Sequence, residues 1–196
     1  MKERKNDRYY VKAKREHYRS RAAYKLLQLQ EKFGILFAGM RCVDLGAAPG
    51  GWLQVEQEIA GPGGRVLGID LATIRPVEGV TLLKGDVTSP ATAAKLLDAA
   101  GGKVDVLLSD MSPDISGNYS LDHARSVDLV RTALALARLL LKEGGSMAVK
   151  LFDGELTHEL LEDMKRSFGS VRVSKPEASR KQSSEIYIVA GDFFSR

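Results

Sequence analysis

The chain has 196 residues, 44% of them hydrophobic, and a formal net charge of +4. This length favours a single domain, and the apolar fraction is sufficient for a buried core. The sequence has no apolar run of about 18 residues and no apolar segment near its start. It therefore predicts neither a membrane span nor a secretory signal, and it favours a cytoplasmic location. The single cysteine, Cys42, excludes an internal disulfide and is interpreted as a core residue.

The positive charge is concentrated at the start of the chain. Residues 1–21 contain nine Lys and Arg against three acidic residues, whereas the remainder contains 20 basic against 22 acidic residues. Basic segments of this kind bind phosphate backbones. Three tyrosines among these charges could stack on unpaired bases: Tyr9, Tyr10 and Tyr18. We therefore interpret residues 1–20 as a nucleic-acid-binding arm and 21–196 as one domain; a solvated tail is the alternative. Three arginines are candidate phosphate contacts: Arg15, Arg19 and Arg21.

Helices and strands alternate along the rest of the chain. A helix is predicted at 21–32, with Ser20 as its cap and Gly34 at its end. Further helices are predicted at 51–60, 90–100, 122–142 and 155–168. Seven strands are predicted at 41–45, 65–70, 80–83, 104–108, 146–150, 171–174 and 185–190. This alternation predicts an α/β fold with a mostly parallel, Rossmann-like seven-stranded sheet, helices on both faces and a C-terminal antiparallel hairpin.

A glycine-rich turn, Gly46-Ala-Ala-Pro-Gly-Gly-Trp52, joins the first strand of this sheet to the next helix. Such turns present backbone N–H groups to nucleotide-like ligands, although some bind nothing. The turn lacks the Lys and hydroxyl of a P-loop, and its Gly-x-x-x-Gly-Gly spacing differs from that of a dinucleotide site. Four carboxylates lie at or near the strand ends: Asp44, Asp70, Asp86 and Asp110. An acid-rich pocket suits a cationic cofactor without phosphate, so the sequence favours S-adenosylmethionine over a dinucleotide.

Four charged residues are candidates for the chemistry: Lys25, Lys150, Glu185 and the same Asp110. Asp110 lies at the end of one core strand and Lys150 is the last residue of the next, so both should lie at the ligand-binding edge of the sheet. Together the four suggest a site that activates a hydroxyl group, because an alcohol is a poor nucleophile until a base accepts its proton. Four unrelated solvated charges are the alternative. Lys25 and a sulfonium would favour a neutral Lys150 and the two acids would oppose it, so its protonation state stays open.

Seven ordered blocks of the sequence resemble the FtsJ-like ribosomal RNA 2′-O-methyltransferases. The blocks are Tyr18-Arg-Ser-Arg-Ala-Ala-Tyr-Lys-Leu, Asp44-Leu-Gly-Ala-Ala-Pro-Gly-Gly-Trp, Gly68-Ile-Asp, Gly85-Asp-Val, Ser109-Asp-Met-Ser-Pro, Val149-Lys-Leu-Phe and Ser183-Ser-Glu-Ile-Tyr. The resemblance implies a Lys-Asp-Lys-Glu tetrad at Lys25, Asp110, Lys150 and Glu185, with Lys150 as the central base. It implies cofactor contacts at Gly50, Trp52, Asp70, Asp86 and Asp110, to which the glycine-rich turn adds Gly46.

The resemblance also implies a substrate, a uridine in the A-loop of large-subunit ribosomal RNA within the assembled subunit. The 2′-oxygen would attack the donor methyl carbon in line, the methyl–sulfur bond would break with S-adenosylhomocysteine as the leaving group, and a proton would pass toward Lys150. Two alternatives stay open, namely methylation of transfer RNA or an mRNA cap, and a non-catalytic RNA-binding assembly factor. We expect no metal, because the three histidines are scattered and no Cys/His ligand spacing occurs. A monomer is expected. His123 is predicted to cap the helix at 122–142.

Overall fold

The computed structural model describes residues 7–180 and 182–195. Six helices occur in this part of the chain: α1 (Arg8–Arg15), α2 (Ala23–Phe33), α3 (Gly51–Ala60), α4 (Thr92–Ala100), α5 (Tyr119–Leu140) and α6 (Thr157–Lys165). The strands are β1 (Arg41–Leu45), β2 (Arg65–Asp70), β3 (Val80–Lys84), β4 (Val104–Ser109), β5 (Leu141–Phe152), β6 (Phe168–Ser174) and β7 (Glu185–Phe193). None of the described helices is both long and apolar enough to cross a membrane.

The strands form one seven-stranded sheet in the order β3-β2-β1-β4-β5-β7-β6. The first five strands in that order are parallel, and β7 runs antiparallel to both of its neighbours. The predicted fold class is therefore confirmed, including the C-terminal hairpin. Because β7 lies between β5 and β6, its first residue lies beside the carboxyl end of β5, and the register pairs Phe152 with Glu185.

Two hydrophobic clusters cover the two faces of the sheet. Val43 and Leu45 of β1 belong to the cluster that includes α4, α5 and α6, whereas Cys42 belongs to the cluster that includes α2 and α3. This alternation follows from the period of two in a strand. Both clusters are dense with fully buried aliphatic residues, so the sheet is a rigid platform whose carboxyl edge can hold a site.

Several predicted boundaries were wrong for local reasons. The residue before α2 is Ala22 rather than Ser20, whose hydroxyl is buried against Gly51 and has no partner among the described residues. Asn118 caps α5, so His123 lies in the second turn and does not cap it. The chain also enters β5 directly at Leu141, because Leu141 already pairs with Val104.

The basic N-terminal segment contains a helix that the sequence analysis missed. Asp7 caps α1 by accepting hydrogen bonds from the backbone N–H groups of Tyr9 and Tyr10 at 3.1 and 3.2 Å. Ala13 of α1 is buried against Tyr24 of α2 and Ala178 of the loop before β7. Residues 8–15 are therefore packed on the domain, while Lys2, Arg4 and Lys5 lie outside the described residues.

Candidate active site

The carboxyl ends of β1, β2, β4 and β5 meet at one edge of the sheet. Leu45 pairs with Ile69 on one side and with Ser109 on the other, and Ser109 pairs with Val149. Asp110 and Lys150 each follow one of these paired positions, so the parallel register brings them to the same level. The predicted convergence of these charges is thus a direct result of the sheet topology.

The glycine-rich turn follows β1 and is anchored to β2. The Gly46 N–H donates to the Ile69 carbonyl at 2.9 Å, and the Ala48 N–H donates to Asp70 Oδ2 at 2.9 Å. Gly46 has a φ of +72°, and a Cβ at this position would collide with the Met111 side chain. Only glycine fits both conditions, which lets the backbone approach a ligand closely.

A cavity of about 440 Å³ opens beside this turn. Four predicted cofactor residues line it: Gly46, Asp70, Asp86 and Asp110. Its charged lining is thus three carboxylates, with no basic side chain among the described lining residues. The pKa of Asp86 is lowered by hydrogen bonds from the Thr88 backbone N–H and hydroxyl, so this carboxylate is ionised at neutral pH. These residues fit S-adenosylmethionine, which carries a sulfonium, an ammonium, a ribose and an adenine amine.

Two other predicted cofactor residues do not line this cavity. Gly50 lies against the Arg19 side chain and has a φ of +102°. Trp52 is buried, donates from its indole N–H to the Ala22 carbonyl at 2.8 Å, and packs against the Tyr187 ring at 5.8 Å between centroids. Both residues belong to the glycine-rich turn, but they contact Arg19, Ala22 and Tyr187 on the side away from the cavity lining.

The structure brings the four predicted catalytic residues together. Lys25 Nζ lies 2.7 Å from Glu185 Oε1 and 4.0 Å from Asp110 Oδ1. Lys150 Nζ lies 3.3 Å from Asp110 Oδ1 and donates to the Asp110 backbone carbonyl at 2.5 Å. All four side chains are at least four-fifths buried. Because burial weakens competition from water, their mutual geometry is well fixed.

Two further members of this cluster were missed by the sequence analysis. Tyr187 is fully buried and donates its hydroxyl to Asp110 Oδ1 at 2.5 Å. Ser179 donates its hydroxyl to Glu185 Oε1 at 2.8 Å. Tyr187 had a detectable signal, since it lies two residues after Glu185 and so points to the same face of β7. Ser179 had none, because its position depends on the fold of a polar loop.

A second cavity of about 310 Å³ lies next to the tetrad, which we call the acceptor cleft. It is lined by Ser20, Arg21, Ala22, Lys25, Ser112, Ile115, Phe152, Arg180, Ser183 and Glu185. Its charged lining is three basic residues and one acid, the reverse of the first cavity. Ser112 lines both cavities, so the two are neighbours on either side of the Asp110 segment.

The three arginines predicted to contact RNA have different environments. Arg15 is exposed at the end of α1, with 75% of its side chain accessible. Arg19 donates to the backbone carbonyls of Pro49, Arg75 and Pro76 at 3.2, 2.6 and 2.5 Å. Arg21 pairs with Asp7 and donates to the Ala178 carbonyl. Arg19 and Arg21 therefore hold parts of this chain together, whatever else they contact.

A buried pair of acids lies beneath the glycine-rich turn. Asp44 and Glu56 are almost inaccessible, and three of their four carboxylate oxygens have no partner among the described residues. Burial raises the pKa of Glu56 to about 8, and burial together with Glu56 raises the pKa of Asp44. Asp44 was predicted near the cofactor acids, but it lies in the core and does not line the cofactor cavity.

The acidic cavity beside the glycine-rich turn shares Asp110 with the Lys-Asp-Lys-Glu cluster. On this sheet, that arrangement defines an S-adenosylmethionine-dependent methyltransferase of the Rossmann-like class. The family model for FtsJ-like methyltransferases matches residues 18–193. The chain belongs to the FtsJ-like methyltransferase family. It is an enzyme, and its cofactor is S-adenosyl-L-methionine, as the sequence predicted.

Curated relatives match nearly the whole chain. It is 50% identical over 189 residues to "Ribosomal RNA large subunit methyltransferase E" of Methanothrix thermoacetophila, covering 96% of this chain and 73% of that protein. It is 52% identical over 188 residues to the protein of the same name from Halobacterium salinarum, covering 94% and 73%. The chain thus spans about three quarters of the length of these relatives.

A solved structure supports the same fold. A crystal structure described as "a ribosomal RNA methyltransferase, putative, from Plasmodium falciparum" superimposes with a TM-score of 0.81 at 30% sequence identity. The match covers 91% of this chain and all of the other.

Proposed function

We propose that this enzyme transfers a methyl group to the ribose 2′-oxygen of a uridine in the A-loop of large-subunit (23S) ribosomal RNA. The substrate would be the assembled large subunit, and the protein would act in the cytoplasm as a monomer. The names of the curated relatives support ribosomal RNA of the large subunit as the substrate. The resemblance of the seven sequence blocks supports the uridine and the A-loop.

The observation that carries the proposal is the pairing of two cavities of opposite charge around one cluster. The acidic cavity suits a cationic methyl donor, and the basic acceptor cleft suits a polyanion. When bound, S-adenosylmethionine supplies the methyl group as an electrophile. Four residues would hold it in the acidic cavity: Gly46, Asp70, Asp86 and Asp110. Gly50 and Trp52 would hold the glycine-rich turn in position through their contacts with Arg19 and Ala22.

Lys150 is the central residue of the proposed chemistry. Its Nζ donates one hydrogen bond to the Asp110 backbone carbonyl and forms an ion pair with Asp110 Oδ1 at 3.3 Å. The remaining hydrogen-bonding capacity of the nitrogen is available for the ribose hydroxyl. In its neutral form Lys150 would accept the proton of that hydroxyl, which raises the nucleophilicity of the oxygen.

The other three tetrad residues would fix Lys150 and the ribose. Asp110 Oδ1 contacts Lys25, Lys150 and Tyr187, so its other oxygen is left for a ligand of the acidic cavity. Glu185 holds Lys25 at 2.7 Å at the border of the acceptor cleft. Much of the rate would come from holding oxygen, methyl group and sulfur in line, because orientation alone can supply several powers of ten.

RNA would reach this site across the basic N-terminal segment. Arg15 is the best placed of the three predicted arginines for a phosphate, because its side chain is exposed. For Arg19 and Arg21 we propose phosphate contacts only through the parts of their guanidinium groups that remain accessible. Two of the three tyrosines are engaged with Tyr24, Tyr9 at 5.5 Å and Tyr18 at 5.7 Å between ring centroids, so base stacking would use their outer edges.

The proposal is tested by mapping ribose methylation on ribosomal RNA with and without the protein. Large subunits that lack the modification are incubated with the enzyme and a labelled donor, and naked 23S RNA and transfer RNA serve as parallel substrates. We expect one methylated A-loop uridine in the subunits. Labelling of transfer RNA alone would support the alternative substrate. Absence of both methyl transfer and S-adenosylmethionine binding by calorimetry would support a non-catalytic RNA-binding factor.

A further inference from the structure

The acceptor cleft contains an arginine that neither the family match nor the tetrad accounts for. Arg180 lies in the loop between β6 and β7, five residues before Glu185, and it lines the cleft with Arg21 and Lys25. Its side chain is exposed, and no carboxylate among the described residues pairs with it. By contrast, Arg21 has Asp7 and Lys25 has Glu185. Arg180 is therefore the uncompensated positive charge of this cleft.

The loop that carries Arg180 is held in place from both sides. Arg21 donates to the Ala178 carbonyl, and the Gln28 side chain accepts from the Ala178 N–H at 2.9 Å. On the other side, the Ser179 hydroxyl donates to Glu185 Oε1 of β7 at 2.8 Å. Within the loop, the Ser183 N–H donates to the Arg180 carbonyl at 3.0 Å. Burial, followed by the neighbouring charge of Arg180, lowers the pKa of Arg21. The guanidinium groups of Arg21 and Arg180 both line the cleft, and two neighbouring positive charges favour the binding of an anion there.

The cleft lining also includes apolar side chains. Ile115 lies in the loop after β4 with 73% of its surface exposed, and Phe152 ends β5. A volume of about 310 Å³ is at the lower end of the range for small-molecule sites, roughly 300–1,000 Å³, so the cleft has room for about one nucleotide. The cationic residues suit a phosphate, and the apolar residues suit a nucleobase.

We propose that the acceptor cleft binds the single target nucleotide of an RNA strand, with a flanking phosphate on Arg180, the base against Ile115 and the ribose at the tetrad. Arg21 acts as a positioning residue, because it fixes the loop of Arg180. This inference rests on the proposed function, since it names how the same site selects one nucleotide. The nucleotide must leave its helical stack to enter, as it does for enzymes that act on single residues of structured nucleic acids.

The test compares Arg180→Ala and Arg180→Lys with the wild-type enzyme on undermethylated large subunits. Loss of one charge-assisted contact should raise the KM for subunits about tenfold, with a smaller change in kcat. The slope of log KM against log salt concentration should fall by about 0.7, the loss expected for one phosphate on a single strand. Arg180→Lys should restore the salt slope and part of the affinity. The affinity for S-adenosylmethionine should be unchanged.

Arg166→Ala is the matched control, because Arg166 is also exposed but lies at the other end of β7 beside Phe193. If it raises KM as much as Arg180→Ala, general surface charge explains the effect and the site is overturned. Ile115→Ala should raise KM about fivefold without altering the salt slope, since it removes only apolar contact. An unchanged KM for either cleft variant, with wild-type enzyme active in the same assay, would refute the inference and leave the proposed function intact.

Discussion

Tyr187 donates a hydrogen bond of 2.5 Å to Asp110 Oδ1, the same oxygen that lies 3.3 Å from Lys150 Nζ. Burial and the nearby charges of Asp110 and Glu185 raise the pKa of Tyr187 well above its ordinary value, so the phenol keeps its proton. The tyrosine is therefore a permanent donor that holds the carboxylate in position for the lysine.

Tyr187→Phe removes this donor and retains the ring that packs on Trp52. We expect methyl transfer to slow about tenfold, because Asp110 loses one of the contacts that orient it, while the free energy of unfolding falls by about 1 kcal/mol. Single-turnover rates and chemical denaturation measure the two effects. An unchanged rate with an intact fold would show that the hydrogen bond is only structural.

Lys150→Ala should reduce methyl transfer by about 10²–10⁴, the usual contribution of a general base. S-adenosylmethionine should still bind, because Lys150 does not line the acidic cavity. Transfer of label to ribosomal subunits and calorimetry with the donor make the comparison. Lys165→Ala, an exposed substitution on α6, is the control. Full activity of the Lys150 variant would sink the assigned role.

Gly46→Ala should weaken donor binding by more than tenfold and destabilise the fold. The alanine would need a positive φ, which costs about 1–2 kcal/mol, and its Cβ would also collide with Met111. Gly39→Ala is a matched control, since Gly39 has a φ of +80° but no atom within 4 Å of the added Cβ. Equal losses in both variants would mean that backbone strain alone, and not the close approach at the turn, matters.

Glu56→Gln should stabilise the protein above neutral pH. The pKa of Glu56 is about 8 in the folded state against an ordinary 4.5, so between these values the folded state retains a proton that the unfolded state releases. The free energy of unfolding must then fall as pH rises through this window. The loss caused by ionisation of Glu56 is complete above pH 8. We expect the variant to gain on the order of 1–3 kcal/mol at pH 8 and little at pH 4.5.

Thermal unfolding from pH 4.5 to 8.5 measures this dependence. Exposed Glu155→Gln, which makes the same chemical change on the surface, should leave the wild-type profile unaltered. A Glu56→Gln profile parallel to that of the wild type would contradict the assignment.

Arg15→Ala and Arg19→Ala should have separable effects. Arg15 is exposed, so its loss should weaken RNA binding and reduce the salt slope by about 0.7, with donor affinity unchanged. Arg19 donates to the Pro49 carbonyl of the glycine-rich turn, so its loss should lower the thermal stability and weaken donor binding severalfold. Filter binding at several salt concentrations and calorimetry distinguish the two. If both variants lost only RNA affinity, Arg19 would be a phosphate contact without the proposed structural role.

The parts of the fold that follow from local pattern were predictable. The boundaries of α3 and β2 match the predicted ones, because a glycine-rich turn precedes each element and their apolar patterns are clear. The convergence of Asp110 and Lys150 also followed from sequence, since the ends of parallel strands must meet at one edge. Helix α1 was missed because its stability comes from Tyr24 and Ala178, which are distant in sequence.

The roles of arginines were the least predictable part. A cluster of basic residues indicates affinity for phosphate, but it does not reveal which side chains the fold itself uses. Arg19 donates to three backbone carbonyls, which carry no sequence signature. Arg180 lies outside the basic segment, and its place in the acceptor cleft depends on tertiary anchors at Ala178.

The hydrogen bond from Lys150 Nζ to the Asp110 backbone carbonyl makes the position of Lys150 partly independent of the side chain at position 110. A substitution at position 110 removes the carboxylate but not the peptide oxygen. The hydrogen bond from Lys150 to this oxygen can therefore persist in variants at position 110. Variants at this position therefore separate loss of charge from loss of lysine placement, whereas in most acid–lysine pairs a single substitution removes both. In natural variants, this carbonyl contact would preserve the position of Lys150 while the charge of the side chain at position 110 varies.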